Sequence, residues 1–101
     1  MRCVDVNVLV NAHRPEAPQH ADHLAWLEAA RTADEPLGLA DLVLSGFLRV
    51  VTHPRVFREP TPLPVALGFA RTLRASPNVV RLAPGGRHWG IFTSLVTDAD
   101  A

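Results

Sequence analysis

Apolar residues crowd the start of the chain, where Cys3-Val4-Asp5-Val6-Asn7-Val8-Leu9-Val10 mixes a β-branched run with one carboxylate and one amide. The pattern predicts a short buried strand running into a helix over Val6 to His13, ended by Arg14-Pro15. Pro18 opens a second helix, Gln19 to Thr32, whose Leu24, Leu27 and Ala30/Arg31 follow three-to-four spacing with Trp26 on a flank. Leu37-Gly38-Leu39 reads as a second strand, and Asp41 as the N-cap of a third helix over Leu42 to Thr52. That helix is apolar nearly all round, so burial on more than one side is expected. Gly46 in its middle costs about 1 kcal/mol against Ala, which implies a close approach by a neighbour. Thr52 to Arg58 forms a basic loop stopped by Pro54. Thr61-Pro62 caps and starts a fourth helix, with Val65, Phe69 and Leu73 on one stripe beside Ala66 and Ala70. Ser76-Pro77 breaks it, and Val79-Val80-Arg81-Leu82 is the third strand. Pro84-Gly85-Gly86 turns into a last helix carrying Trp89, Phe92, Leu95 and Val96.

Strands alternating with helices predict an α/β domain with a short parallel sheet. The length of 101 residues and an apolar content of 48% suit one small domain with a core. Thr97-Asp98-Ala99-Asp100-Ala101 carries no stop signal and no closing strand, so the chain reads as the first part of a domain lacking its last strands and helices.

Net charge is zero, but it is unevenly spread. Residues 1–41 hold three Arg against seven acids, and residues 42–97 hold seven Arg against Glu59. A basic face able to meet an anionic polymer is one reading, and an ordinary solvated surface is the other. One cysteine, Cys3, excludes an internal disulfide and fits a reducing cytoplasm; in an apolar strand it reads as a small buried hydrophobe. Neither a signal peptide nor a membrane-spanning stretch is visible, so a cytoplasmic protein with no membrane partner is expected.

Asp5 is the chemically distinctive residue. Burying an ionised carboxylate without a partner costs several kcal/mol or more, so a lone acid in an apolar run wants a reason. In open α/β sheets ligands bind outside the carboxyl ends of the strands, where Asp5 would stand with Asn7 two residues on. A helix cap is the competing role. His20 and His23 stand at metal-ligand spacing, but no third ligand accompanies them, and first-turn residues facing water are the better reading. Arg49, on an apolar helix, must reach a carboxylate, a phosphate or water.

The opening Asp5-x-Asn7-x-Leu9, the block Gly46-Phe47-Leu48-Arg49-x-x-Thr52-x-Pro54 and the stretch Pro84-Gly85-Gly86-Arg87-His88, in that order, resemble the PIN-domain ribonucleases. The similarity is greatest to the VapC toxins of mycobacterial toxin–antitoxin pairs. The resemblance implies a PIN-like three-layer α/β/α fold and an endoribonuclease that cleaves structured RNA using Mg²⁺ or Mn²⁺. It implies that Asp5 is the first metal-binding acid and Asn7 its supporting neighbour. It implies a cognate antitoxin that covers the site, with the helices of 19–32 and 42–52 forming part of its groove, and the family commonly forms oligomers such as homodimers. Arg55 and Arg58 are candidates to steer RNA phosphates. Arg49 could do the same, or pair with the acidic site to hold it together.

The departures from the pattern are specific. Many PIN domains carry Glu three residues before the helix Arg, where this chain has Gly46. The third and fourth acids would follow Ala101, and Asp98 and Asp100 are not assigned their role. With one family carboxylate, the chain alone is expected to be inactive or barely active. The alternative is a PIN-like remnant that only binds a protein partner. A receiver-like domain fails, because residues 79–90 offer no phosphoacceptor Asp.

Overall fold

The computed structural model describes residues 1–82. The predicted Pro84-Gly85-Gly86 turn and the helix carrying Trp89 lie outside the described residues, as do Asp98 and Asp100. Seven elements follow one another: β1 (Arg2–Cys3), α1 (Val6–His13), α2 (His20–Thr32), β2 (Leu37–Ala40), α3 (Asp41–Val51), α4 (Leu63–Arg74) and β3 (Val79–Leu82). The strands form one parallel sheet in the order β1-β2-β3, with Cys3 beside Gly38 and Gly38 beside Val80. This is the α/β class that the strand–helix alternation predicts, and α1, β3 and most of α2 fall at the predicted residues.

Parallel neighbours need crossover connections, which the helices provide. α1 packs on α2 and α3, while α3 also packs on α4 and β2, and α4 reaches β3. The core they enclose includes Val4, Leu9, Leu27, Leu37, Leu39, Leu44, Phe47, Val51, Ala66 and Leu73. α3 packs against three neighbours, α1, α4 and β2: Leu44, Phe47 and Val51 are buried on one face, Val43, Leu48 and Val50 are partly covered beside them, and Leu42 and Arg49 are exposed.

Two glycines allow close approach. A Cβ at Gly38 would stand 2.9 Å from Leu82 Cδ1 and 3.0 Å from Cys3 Sγ, so the middle strand has no room for a side chain. A Cβ at Gly46 would stand 3.1 Å from Val6 Cγ2, which explains the glycine inside an apolar helix: α1 begins against it.

Several expectations are corrected. Cys3 is exposed, because β1 is only two residues long and pairs on one side among the described residues; Val4 takes the buried place. On α4 the buried face is Ala66, Ala70 and Leu73 with Phe69 partly covered, while Val65 is 54% exposed. The expected stripe therefore holds for Ala66, Phe69, Ala70 and Leu73, and Val65 alone falls outside it. Thr61 does not cap α4. Pro62 holds the N-cap position, and the Thr61 hydroxyl accepts a hydrogen bond from Arg14 Nη1 at 3.0 Å instead. Asp41 is likewise the first helical residue of α3, after Ala40 at the N-cap, where its charge favours the helix dipole.

His20 and His23 do not face water either. The His20 Nδ1–H donates to the Asn11 carbonyl oxygen at 2.9 Å, and the Asn11 amide donates to His23 Nδ1 at 3.1 Å. The two rings thereby fasten the start of α2 to the last turns of α1. Nothing in the spacing of residues 20 and 23 points at residue 11, so only the folded chain reveals this clasp.

Candidate functional site at the carboxyl edge of the sheet

Because the strands are parallel, β1 and β2 end on the same edge of the sheet. Asp5 follows β1 and Asp41 follows β2, and the register that sets Cys3 beside Gly38 brings these two strand ends alongside one another. This is the edge at which open α/β sheets bind their ligands.

Asp5 is exposed, so it suffers none of the desolvation that a buried strand position would impose. The strand has already ended at Cys3, and Asp5 sits at the N-cap of α1 in extended conformation, φ −99° and ψ 156°. Its backbone carbonyl accepts from the Leu9 N–H at 3.3 Å, as a capping residue's should, yet its carboxylate makes no capping bond. The backbone at the start of α1 thus sets the place of the carboxylate at the sheet edge. Asn7 lies exposed in the first turn of α1, two residues further on.

Gly46 abuts Val6, the residue that follows Asp5, so the second turn of α3 forms the flank of this edge. From there α3 leads away through Arg49, and a shallow groove is lined by Gly46, Arg49, Val50, His53 and Val56. Arg55 and Arg58 are exposed on the loop after α3. The structure therefore brings Arg49 onto the helix that flanks Asp5, while Arg55 and Arg58 belong to the adjoining loop. His53, one member of the basic loop in sequence, lines the groove.

No family model matches the chain. Over all 101 residues it is 54% identical to VapC ribonuclease Mb2897 of Mycobacterium bovis, covering 69% of that protein's length. The identity and coverage are the same for ribonuclease VapC43 of Mycobacterium tuberculosis. Ribonuclease VapC25 of Mycobacterium tuberculosis is 37% identical over 101 residues, with 71% of its length covered. The chain belongs to the VapC ribonuclease family.

VapC membership gives the carboxyl edge its test. A hard divalent cation takes oxygen ligands, and Mg²⁺ commonly binds one or two carboxylates while keeping waters and adding substrate phosphates. The uncapped, exposed Asp5 carboxylate has the chemistry of one such ligand. Among the described residues no group of three or more His, Cys, Asp or Glu side chains gathers to hold a metal. Asp5 thus fits as a single oxygen ligand, and the described residues do not by themselves make up a metal centre. Also among them, no helix is long and apolar enough to cross a membrane.

Proposed function

We propose that this protein is an endoribonuclease of the VapC type that cleaves structured RNA and is neutralised by a cognate antitoxin. The observation that carries the reading is 54% identity, along the whole chain, to proteins named as VapC ribonucleases. The carboxyl edge supports it, because Asp5 stands there with its carboxylate uncommitted to the α1 cap. In this reading the 101 residues form the first part of one PIN-like domain.

Asp5 is a ligand of a divalent cation, Mg²⁺ with Mn²⁺ as a substitute, and Asn7 is the polar group beside it. Bound there, the cation would activate water and offset charge on the phosphate. The remaining work belongs to the chain's own residues. Asp5 supplies a fixed oxygen, because its backbone position is set by the start of α1. Arg55 and Arg58 attract the RNA backbone, an effect that weakens as salt rises, and Arg49 supports the acidic site from α3. Folding in the cytoplasm, association with an antitoxin over α2 and α3, and homodimer formation complete the proposal.

The test compares the 101-residue chain with the protein translated from the encoding DNA read on past codon 101. Each is incubated with structured RNA and Mg²⁺ or Mn²⁺. Slow or absent cleavage by the shorter chain is expected, with metal-dependent cleavage by the longer protein that Asp5→Ala abolishes. Cleavage that survives Asp5→Ala, or no cleavage by either protein, would overturn the reading.

A further inference from the structure

The groove on α3 has features that the carboxyl edge does not use. Residues 46, 49, 50 and 53 recur at helical spacing and so share one side of α3 and its end. Gly46 contributes no side chain, which leaves the groove open at the end nearest Val6 and Asp5. Val50 and Val56 provide apolar walls, and Arg49 and His53 provide the polar ones.

His53 is held in a defined state. Its Nδ1 accepts the Arg55 backbone N–H at 3.0 Å, so in the neutral ring the proton resides on Nε2. The imidazole therefore offers one donor from a ring already fixed by the loop. The negative end of α3, which would repel an anion, is covered by donors. Leu48 O accepts the Thr52 hydroxyl at 2.6 Å, Val50 O accepts the His53 N–H at 3.3 Å, and Val51 O accepts the Thr61 N–H at 2.7 Å. Charge favours an anionic occupant, because the loop that carries His53 and Val56 also carries the exposed Arg55 and Arg58.

We propose that this groove seats the phosphodiester backbone of the RNA strand where it leaves the Asp5 edge, with the His53 Nε2–H donating to a phosphate oxygen. The apolar walls lie against ribose carbons, and Arg55 and Arg58 supply the positive field. The proposal rests on the nuclease reading for the identity of the strand, and it assigns His53 to binding and positioning rather than to chemistry.

The experiment measures binding of a fluorescein-labelled RNA stem-loop to the 101-residue chain in EDTA, where cleavage does not interfere. His53→Ala is expected to weaken binding about tenfold, the effect of losing one hydrogen bond to a charged group. His53→Gln, which keeps a donor near Nε2, is expected to retain most of the affinity. Arg55→Gln should reduce the slope of log affinity against log salt by about 0.7 to 0.9, and His53→Ala should leave that slope unchanged. Unaltered thermal unfolding of each variant would show that the fold is intact. Equal binding by His53→Ala and the parent chain would overturn the inference and leave the nuclease reading in place. Binding that falls as expected, with no cleavage by the longer protein, would uphold the groove and overturn the nuclease reading. No RNA binding by the parent chain would overturn the groove.

Discussion

His13 Nε2 and the Thr61 hydroxyl, 48 residues apart in sequence, meet at 3.1 Å where the end of α1 touches the start of α4. The His13 ring also lies edge-on to Phe47 at 5.4 Å and to Phe69 at 5.0 Å, and Arg14 donates to the same hydroxyl. Thr61 accepts from Arg14 and retains its own proton, which it can donate to an unprotonated His13 Nε2.

This arrangement predicts acid sensitivity. Burial, then repulsion from Arg14, holds the His13 pKa below 6.5, against a smaller pull upward from Glu16. The unfolded chain therefore binds a proton that the folded chain resists. Stability from this residue is full above about pH 6.5 and is lost as pH falls from there through the folded value. Thermal unfolding followed from pH 7.5 to 5 should show a decline that is shallower in His13→Gln. An unchanged decline in that variant would contradict the assignment.

Asn78 ties three segments together. Its amide donates to the carbonyl oxygens of Ala30 on α2 and Glu35 before β2, while its own backbone oxygen accepts the Leu37 N–H at 3.0 Å. Asn78→Ala is expected to destabilise the fold by about 1–3 kcal/mol, since two carbonyls lose their donor. Asn78→Asp should cost more, because it aims a carboxylate at both. Urea unfolding of the two variants checks the order.

Gly38 stands on the middle strand, between β1 and β3. An Ala there meets Leu82 Cδ1, Cys3 Sγ and the Arg2 carbonyl oxygen at 3.4 Å or less, so Gly38→Ala should cost about 1–3 kcal/mol by overpacking. A melting temperature equal to that of the parent would show that β1 or β3 shifts freely.

Gly46→Ala sets two effects against each other. Helix propensity favours Ala by about 1 kcal/mol, but the new methyl presses on Val6, whose β-branched side chain has little rotamer freedom. The single change is expected to be neutral or destabilising, and the same change made in a Val6→Ala background to be stabilising. A double-mutant cycle reads this as a coupling of at least about 0.5 kcal/mol.

Asp5 separates function from stability. The exposed carboxylate makes no capping bond, and Asn is an equally good N-cap residue, so Asp5→Asn should change stability by less than about 0.5 kcal/mol. The same substitution in the longer protein should remove metal-dependent RNA cleavage. A large loss of stability would mean that Asp5 holds the fold together.

Much of this architecture is local and therefore legible in the chain. The boundaries of α1 and β3 follow from apolar periodicity and from Arg14-Pro15 and Ser76-Pro77, which act within a few residues. The placing of Asp5 at a strand's carboxyl end follows from the same pattern. Asp41 and Thr61 show where such reading fails. Both have the composition of a cap, but whether the side chain turns back on its own helix depends on competing partners, and Arg14 and His13 claim the Thr61 hydroxyl. The Asn11 clasp by His20 and His23, the contact of Gly46 with Val6, and the His53 groove likewise join residues through the packing of separate elements. Sequence by itself determined the alternation of strands and helices and the residue types available at each end. Tertiary structure decided which of those polar groups meet, because a hydrogen bond needs both partners within about 3 Å, and only the packed helices bring residues so far apart in the chain to that distance.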